Sequence, residues 1–300
     1  MTEHTDAQAA QLNPPIVVAV DGSAVAYQAA AWAAVDAGLH GAPLRIVTSV
    51  AVTTGFAPGV VLSDDDVRVL RTDGEGVVVE ATRVARAAAP GEALDISTEV
   101  TFDSIIPYLI DLSPRARVLV VGSRGLGAFR RGLLGSVSTA VTRHAHCPVA
   151  LVHNTAATDA LTAEKPVLVG VDGSDNSMPA LALAFEEASR RKVGLTALHA
   201  WSDVSALDVP LPGWDMIQEQ ESEVLAERLA GFGEQFPDVR VRRILMRDRP
   251  VRALLDESEN AQLLVVGSHG RGGFTGMLLG STSAALLHSV DCPAIVVRTD

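Results

Sequence analysis

Short apolar runs alternate with longer stretches of helical spacing along the whole chain. Residues 16–20 and 118–121 are uninterrupted apolar runs, which are typical of strands buried on both faces of a sheet. An Asp-Gly-Ser turn follows the first run and leads into an alanine-rich stretch, 25–38, whose apolar positions have helical spacing. Because strands and helices keep alternating, the pattern predicts a mostly parallel sheet with helices on both faces.

The predicted elements form two similar sets. The first has strands at 16–20, 44–50, 95–100, 118–121 and 149–153, and helices at 25–38, 63–89, 104–112 and 136–145. The second has strands at 167–171, 195–200, 239–245, 263–266 and 294–298, and helices at 177–190, about 215–233, 250–257 and 281–289. Right-handed crossovers place the carboxyl ends of the first and fourth strands of each set side by side. The predicted fold class is α/β, with two tandem open sheets that are Rossmann-like and have the strand order 3-2-1-4-5.

The second half of the chain repeats the first. Ile16-Val-Val-Ala-Val-Asp-Gly-Ser23 recurs as Val167-Leu-Val-Gly-Val-Asp-Gly-Ser174, and a Cys-Pro pair precedes the last strand of each half. A repeat of about 150 residues is too long for a solenoid unit and indicates a duplicated domain. The predicted organisation is a flexible tail at 1–14, domains at 15–153 and 166–300, and a linker at 154–165.

A glycine string follows the fourth strand of each half. Gly122-Ser-Arg-Gly125, nine residues, Gly135-Ser136 recurs as Gly267-Ser-His-Gly270, nine residues, Gly280-Ser281. Glycines let backbone N–H groups approach a phosphate, and the start of the following helix favours negative charge. The string therefore predicts a phosphate site in each half. It is neither a Walker A loop, since no Gly-Lys-Ser/Thr follows, nor the Gly-X-Gly-X-X-Gly of a dinucleotide site.

Composition narrows the class of protein. The chain has 300 residues, of which 48% are apolar and 20% charged, as expected of a folded globular protein, and a net charge of −12. This acidic balance disfavours non-specific binding to nucleic acid or to anionic membranes. Residues 1–14 lack the pattern of a signal peptide, and apolar runs are shorter than the roughly 18 residues of a membrane span, so a cytoplasmic location is predicted.

An aspartate after strand 1, combined with Gly-X2-Gly-X9-Gly-Ser after strand 4, resembles the universal stress protein family in its ATP-binding branch. The resemblance covers nearly the whole chain, as two tandem domains like those of mycobacterial and other actinobacterial stress proteins. It implies one ATP per domain, two per chain, with Mg²⁺ as a candidate companion ion. It also implies a pseudo-twofold relation of the domains through their final strands, a homodimer of tandem chains, and a protein partner whose identity the sequence does not reveal.

The family's nucleotide contacts carry over by position. The strand-1 aspartate lies near the adenosine and can bond a ribose hydroxyl, the backbone after strand 2 contacts the adenine edge, and the glycines and loop serine hold ribose and phosphates. The residue after that serine adds a backbone N–H. The candidate residues are Asp21, Ser49, Gly122, Gly125, Gly135, Ser136 and Val137 in copy one, and Asp172, Ala200, Gly267, Gly270, Gly280, Ser281 and Thr282 in copy two.

Each candidate also has a purely structural interpretation. The glycines occur in ordinary turns too, Asp21 and Asp172 could cap the next helix, and the loop serines could be N-caps. His199, which has Thr48 as its counterpart, is interpreted as a satisfied core histidine rather than a ligand, and the two cysteines as small buried hydrophobes. Loop charges that are either phosphate contacts or solvated are Arg124, Arg130, Arg131, His269 and Arg271.

The loops contain little that could catalyse a reaction. Residues 123–134 and 268–279 have no carboxylate, whereas phosphoryl transfer needs a positioned metal ion and a group that orients the nucleophile. The prediction is therefore a signalling or sensor module that retains ATP with little or no turnover. Two alternatives stay open: a slow Mg-dependent ATPase or phosphotransferase that uses Asp21 or Asp172, and a structural adaptor with vestigial sites.

Overall fold

A computed structural model of the chain describes residues 13–51, 63–91, 93–125, 134–153, 160–201, 214–270 and 278–298. The predicted tail, except for its last two residues, and the first part of the predicted linker lie outside these ranges. So do residues 126–133 and 271–277 of the two glycine loops. The chain divides into two compact units, Met1–Asn154 and Thr155–Asp300.

Unit 1 is a five-stranded parallel sheet with helices between its strands. The sheet order is β3-β2-β1-β4-β5, and the first strand pairs with both the second and the fourth. The strands are β1 (Ile16–Ala19), β2 (Leu44–Ser49), β3 (Ile96–Thr101), β4 (Val118–Gly122) and β5 (Val149–Val152). The helices are α1 (Ala24–His40), α2 (Asp64–Ala88), α3 (Ile105–Leu112) and α4 (Ser136–His144).

Unit 2 repeats this plan, with the order β8-β7-β6-β9-β10 and parallel pairing throughout. Its strands are β6 (Val167–Val171), β7 (Leu195–Ala200), β8 (Val241–Met246), β9 (Leu263–Gly267) and β10 (Ala294–Val297). Its helices are α5 (Ala160–Ala163, one turn), α6 (Met178–Arg191), α7 (Trp214–Gln235), α8 (Pro250–Ser258) and α9 (Ser281–Ser289). The predicted α/β class is confirmed in both units.

Small residues let helices lie close on the sheet of unit 1. On α1 the alanines from Ala29 to Ala37 that face the sheet are fully buried. On α2 a Cβ at Gly74 would lie 2.7 Å from the Cγ1 atoms of Val50 and Val100, so only glycine fits there without displacing the helix or these valine side chains. The N-terminus of α2 has a capping box, in which Ser63 and Asp66 each accept from the other's backbone N–H.

The end of α1 differs from the prediction. The helix passes the predicted boundary at Gly38 and ends at Gly41, which adopts a left-handed conformation (φ 59°) and donates its N–H to carbonyls of the last turn. The predicted helix, 25–38, is therefore two residues too short at this end. Among the described residues, no helix combines the length and apolarity needed to cross a bilayer.

Candidate functional site

The carboxyl ends of three strands meet in each unit. β1 pairs in parallel with β2 and β4, and β6 pairs in the same way with β7 and β9. The residues at these ends therefore lie along one edge of each sheet. They are the predicted site residues Asp21, Ser49 and Gly122 in unit 1 and Asp172, Ala200 and Gly267 in unit 2.

The two oxygens of the Asp21 carboxylate contact different segments: one contacts the turn after β1, and the other contacts the glycine loop after β4. Oδ1 accepts the backbone N–H of Ser23 (3.0 Å), and Oδ2 is so close to Gly125 that an added Cβ would collide with it. Ser23, rather than Asp21, caps α1, because its Oγ accepts the N–H of Ala26 (3.2 Å). The capping alternative for Asp21 is therefore wrong, and one oxygen faces the loop.

Asp172 repeats the arrangement in unit 2. Its Oδ1 accepts from both the N–H (2.9 Å) and the Oγ–H (2.7 Å) of Ser174, and its Oδ2 lies 2.7 Å from the position of a Cβ on Gly270. The chain then forms a short 3-10 turn, Asp175–Ser177, before α6 begins. Arg228 of α7 binds the segment between Asp172 and this turn. Its Nε donates to Gly173 O (3.2 Å), and an Nη pairs with Asp175 (2.7 Å).

The two ends of each glycine loop are joined by hydrogen bonds. Gly135 N–H donates to Ser123 O (2.9 Å), and Gly280 N–H donates to Ser268 O (2.7 Å). Ser138 Oγ donates to Gly122 O, and Ser283 Oγ donates to Gly267 O, each at 2.7 Å. The loop glycines, which are distant in sequence, are thereby held next to the helix that follows. These serines were not among the predicted site residues, although their recurrence at equivalent positions was a visible signal.

The helices after the loops begin without a side-chain cap. Their N-cap residues are Gly135 and Gly280, and the first i→i−4 bonds are Thr139 N–H to Gly135 O and Ala284 N–H to Gly280 O, both 2.9 Å. The N–H groups of the three residues before each of these donors have no partner within the helix. The predicted contacts at Ser136, Val137, Ser281 and Thr282 belong to this set. The serines are first helical residues, so the N-cap alternative for them is wrong.

The ends of β2 and β7 differ in their side-chain chemistry. Ser49 Oγ donates to Asp103 O (2.7 Å) and accepts Ala51 N–H (3.1 Å), so this hydroxyl is engaged and only the backbone of Ser49 remains for a ligand. At the equivalent place Ala200 has no polar side chain, and the preceding residue is His199. Buried His199 bonds Val171 O through Nδ1 (2.7 Å) and Glu221 through Nε2 (2.8 Å), which confirms it as a satisfied core histidine.

The remaining residues considered in the sequence are the two cysteines and the charged residues of the loops. Burial raises the pKa of Cys147 and of Cys292 to about 12, so both thiols stay protonated and pack as small hydrophobes. Arg124 and His269 occupy the same place in the two loops, and His269 Nδ1 lies 3.1 Å from Ser268 Oγ. Arg130, Arg131 and Arg271 lie outside the described residues.

Comparison with known proteins agrees with this architecture. The model of the Universal stress protein family matches residues 13–153 and 164–298. Universal stress protein Rv2005c of Mycobacterium tuberculosis is 44% identical over 284 residues, 94% of this chain and 96% of the relative, and Rv2623 of the same species is 43% identical over 290 residues with equal coverage. A universal stress protein crystal structure from Archaeoglobus fulgidus superposes with a TM-score of 0.68 over 95% of this chain and 96% of that one, at 22% identity.

Proposed function

The chain belongs to the universal stress protein family, and from that premise we propose that it is an ATP-binding stress-response protein that holds one nucleotide in each domain. The observation that carries the proposal is repeated in both units. A carboxylate oxygen faces the second glycine of the loop, Gly125 or Gly270, and the loop ends on a helix whose first N–H groups lack partners within the helix. This is a cradle for a ligand with hydroxyl groups at one end and negative charge at the other.

The proposed roles follow from the chemistry of each group. Asp21 and Asp172 accept a hydrogen bond from a ribose hydroxyl through Oδ2, while Oδ1 keeps the turn in place. The first N–H groups of α4 and α9 donate to the phosphates, and the lack of a Cβ at Gly125 and Gly270 lets the aspartate carboxylate lie against the loop. Where Mg²⁺ accompanies the nucleotide, it is held mainly by phosphate oxygens, since each loop offers no carboxylate.

Slow or absent turnover fits these groups better than catalysis does. A hydrolase or phosphotransferase needs a base or an orienting group near the terminal phosphate. Asp21 and Asp172 are bound in their own turns and belong to the strand-1 end of the site, beside the proposed ribose position. We therefore propose a nucleotide-dependent sensor or signalling module, whose ATP-bound state a protein partner recognises.

The test is a nucleotide inventory combined with a turnover assay. One sample of protein purified without added nucleotide is denatured, and the released nucleotides are identified by chromatography. A second, native sample is incubated with Mg-ATP and assayed for phosphate. The proposal predicts adenine nucleotide in the released fraction and phosphate release far slower than the roughly 1–10³ turnovers per second of typical enzymes. Rapid phosphate release that is lost in Asp21→Asn/Asp172→Asn, with ATP affinity kept, would favour the enzymatic alternative.

We further propose a cytoplasmic homodimer of tandem chains, as the resemblance of the domains implies. Size-exclusion chromatography with light scattering measures the mass directly. A mass of two chains across a range of concentrations supports the dimer, and the mass of one chain at every concentration contradicts it.

A further inference from the structure

His199 is buried at the end of β7, with 2% of its surface exposed, immediately before Ala200. Its Nδ1 lies 2.7 Å from the carbonyl oxygen of Val171, the last residue of β6. Because a carbonyl oxygen can only accept, Nδ1 must carry the hydrogen of this bond. The tautomer of a neutral His199 is thereby determined, and its Nε2 would be a bare acceptor.

The same Nε2 lies 2.8 Å from Oε2 of Glu221, on α7. An ionised carboxylate is also only an acceptor, so the contact requires a proton between the two atoms. The pair therefore holds one proton more than a neutral histidine and a free carboxylate would. Its simplest form is an imidazolium that donates to a carboxylate, which is a strong, charge-assisted hydrogen bond when it is buried.

This proton bridge connects three segments of the proposed second site. Val171 directly precedes Asp172, His199 directly precedes Ala200, and Glu221 lies on the helix whose Arg228 binds the Asp172–Asp175 turn. The charged residues of α7 are Glu221, Arg228, Asp215, Glu219, Glu223, Glu227 and Glu234, and those of β8 are Arg242 and Arg243; Asp172 follows β6 and Arg247 follows β8. Among these, Glu221 contacts the ring.

The first unit has a threonine at the position equivalent to His199. Thr48 precedes Ser49 on β2 as His199 precedes Ala200 on β7, and it is equally buried, with 3% exposed. A threonine does not ionise in the range in which histidine does. The two sites thus differ at one buried position by the presence or absence of a transferable proton.

On the basis of the proposed nucleotide function, we propose that His199 is a positioning residue of the second site, and that its proton bridge to Glu221 makes ATP affinity at this site, but not at the first, fall as pH rises. When the bridging proton leaves, two acceptors face each other and repel, so α7 is released from the ends of β6 and β7. At lower pH the bridge persists, because Nε2 still donates whether or not Glu221 is ionised.

The substitution Glu221→Gln keeps the hydrogen bond to His199 but removes its dependence on the additional proton. In Glu221→Gln the side-chain amide donates to Nε2 of a neutral histidine, so the bridge forms without the extra proton and is independent of pH. Glu221→Ala removes the contact entirely. His269 and the phosphates of ATP are the same in the parent chain and in these variants, so their contribution cancels when the variants are compared with the parent.

The experiment titrates ATP calorimetrically between about pH 6 and pH 9 in full-length protein that carries Gly125→Ala to weaken the first site. Relative to Glu221→Gln, the parent should lose up to about tenfold in affinity per pH unit once the single bridging proton dissociates, and Glu221→Ala should bind at least about tenfold more weakly at pH 6. In nitrogen NMR of the wild-type chain, both His199 ring nitrogens should be protonated at pH 6.

The outcomes discriminate between the two proposals. Equal pH dependence in the parent and in Glu221→Gln, or a His199 Nε2 without a proton at pH 6, overturns the bridge and leaves ATP binding intact. Failure of the wild-type chain to bind ATP at any pH overturns the proposed function and, with it, the role of His199. Should Glu221→Ala fail to fold, the comparison with Glu221→Gln and the NMR signal still decide.

Discussion

Asp21 Oδ2 lies where a side chain on Gly125 would begin, and Asp172 stands in the same relation to Gly270. The contact joins the end of β1 to the loop after β4, two segments that the parallel pairing of those strands brings to one sheet edge. It explains why Gly125 and Gly270, the second glycine of each loop, cannot be replaced by a larger residue without moving the carboxylate. Neither glycine has the positive φ that often makes glycine necessary in a turn. Glycine is needed at these two positions because the carboxylate lies so close to the backbone.

Gly125→Ala should therefore impair the first site. The added methyl group must displace the Asp21 carboxylate, which removes the proposed ribose contact, and ATP affinity at that site should fall at least about tenfold. Gly76→Ala is the control, since a Cβ at Gly76 meets nothing within 4 Å on the exposed face of α2. Calorimetric titration distinguishes the two; unchanged affinity in Gly125→Ala would show that the carboxylate does not contribute to binding.

Gly74 and Gly76 on α2 should respond to alanine in opposite directions. At Gly74 the methyl group would lie 2.7 Å from Val50 and Val100, so overpacking should lower the free energy of unfolding by about 1–3 kcal/mol. At Gly76 the higher helix propensity of alanine should raise it by up to about 1 kcal/mol. Urea unfolding of both variants measures the difference, and two shifts of the same sign would contradict the close approach of α2 to the sheet.

Lys192 ends α6 with φ 56°, in the left-handed conformation that Gly41 adopts at the end of α1. A side chain is strained there, so Lys192→Gly should stabilise the protein by about 1 kcal/mol, and Gly41→Ala should destabilise it by a similar amount. The midpoint of thermal unfolding, followed by circular dichroism, reports both changes. Destabilisation by Lys192→Gly would mean that the lysine side chain contributes more than its backbone strain costs.

Glu99 on β3 should make stability depend on pH. Burial would raise its pKa, but hydrogen bonds from Tyr108 and Arg45 and the charge of Arg45 outweigh this and lower it. Stability from a lowered carboxyl pKa is present above the unfolded value, about 4.3, and is lost as pH falls through the folded value. Tyr108→Phe should therefore cost up to about 1 kcal/mol near pH 7, discounted for partial exposure, and much less near pH 3.

Urea unfolding at the two pH values tests the Glu99 prediction. Burial and the adjacent Glu99 raise the pKa of Tyr108 to about 12, so the phenol stays neutral throughout this range and does not contribute to the change. A cost of Tyr108→Phe that is equal at pH 7 and pH 3 would contradict the ionic character of the bond.

Much of the site was predictable because its residues are adjacent to strand ends. Asp21 and Gly122 each follow a continuous apolar run, and parallel connections bring such ends together whatever the intervening sequence. Because the same glycine spacing occurs in both halves of the chain, it indicated a shared binding site rather than an ordinary turn. The same regularity predicted the strand and helix order of both units from apolar periodicity.

The interactions that sequence analysis missed depend on distances across the fold. Ser138 reaches Gly122 O only because α4 turns back over the end of β4, and Glu221 reaches His199 only because α7 packs on β8, the neighbour of β7 in the sheet. A periodic pattern predicts which face of a helix is buried but not which polar atom that face meets. Gly41, rather than Gly38, ends α1 because the cap is decided by backbone hydrogen bonds.

The most direct test of ATP binding at both sites is the stoichiometry of nucleotide bound by the full-length chain. At an ATP concentration that fills the wild-type sites but not sites weakened at least about tenfold, quantification after denaturation should give two nucleotides per wild-type chain, close to one in Gly125→Ala and in Gly270→Ala, and close to none in the double variant. A wild-type chain that binds no ATP at micromolar concentrations, or a double variant that still binds two, would contradict the assignment of these loops as nucleotide sites.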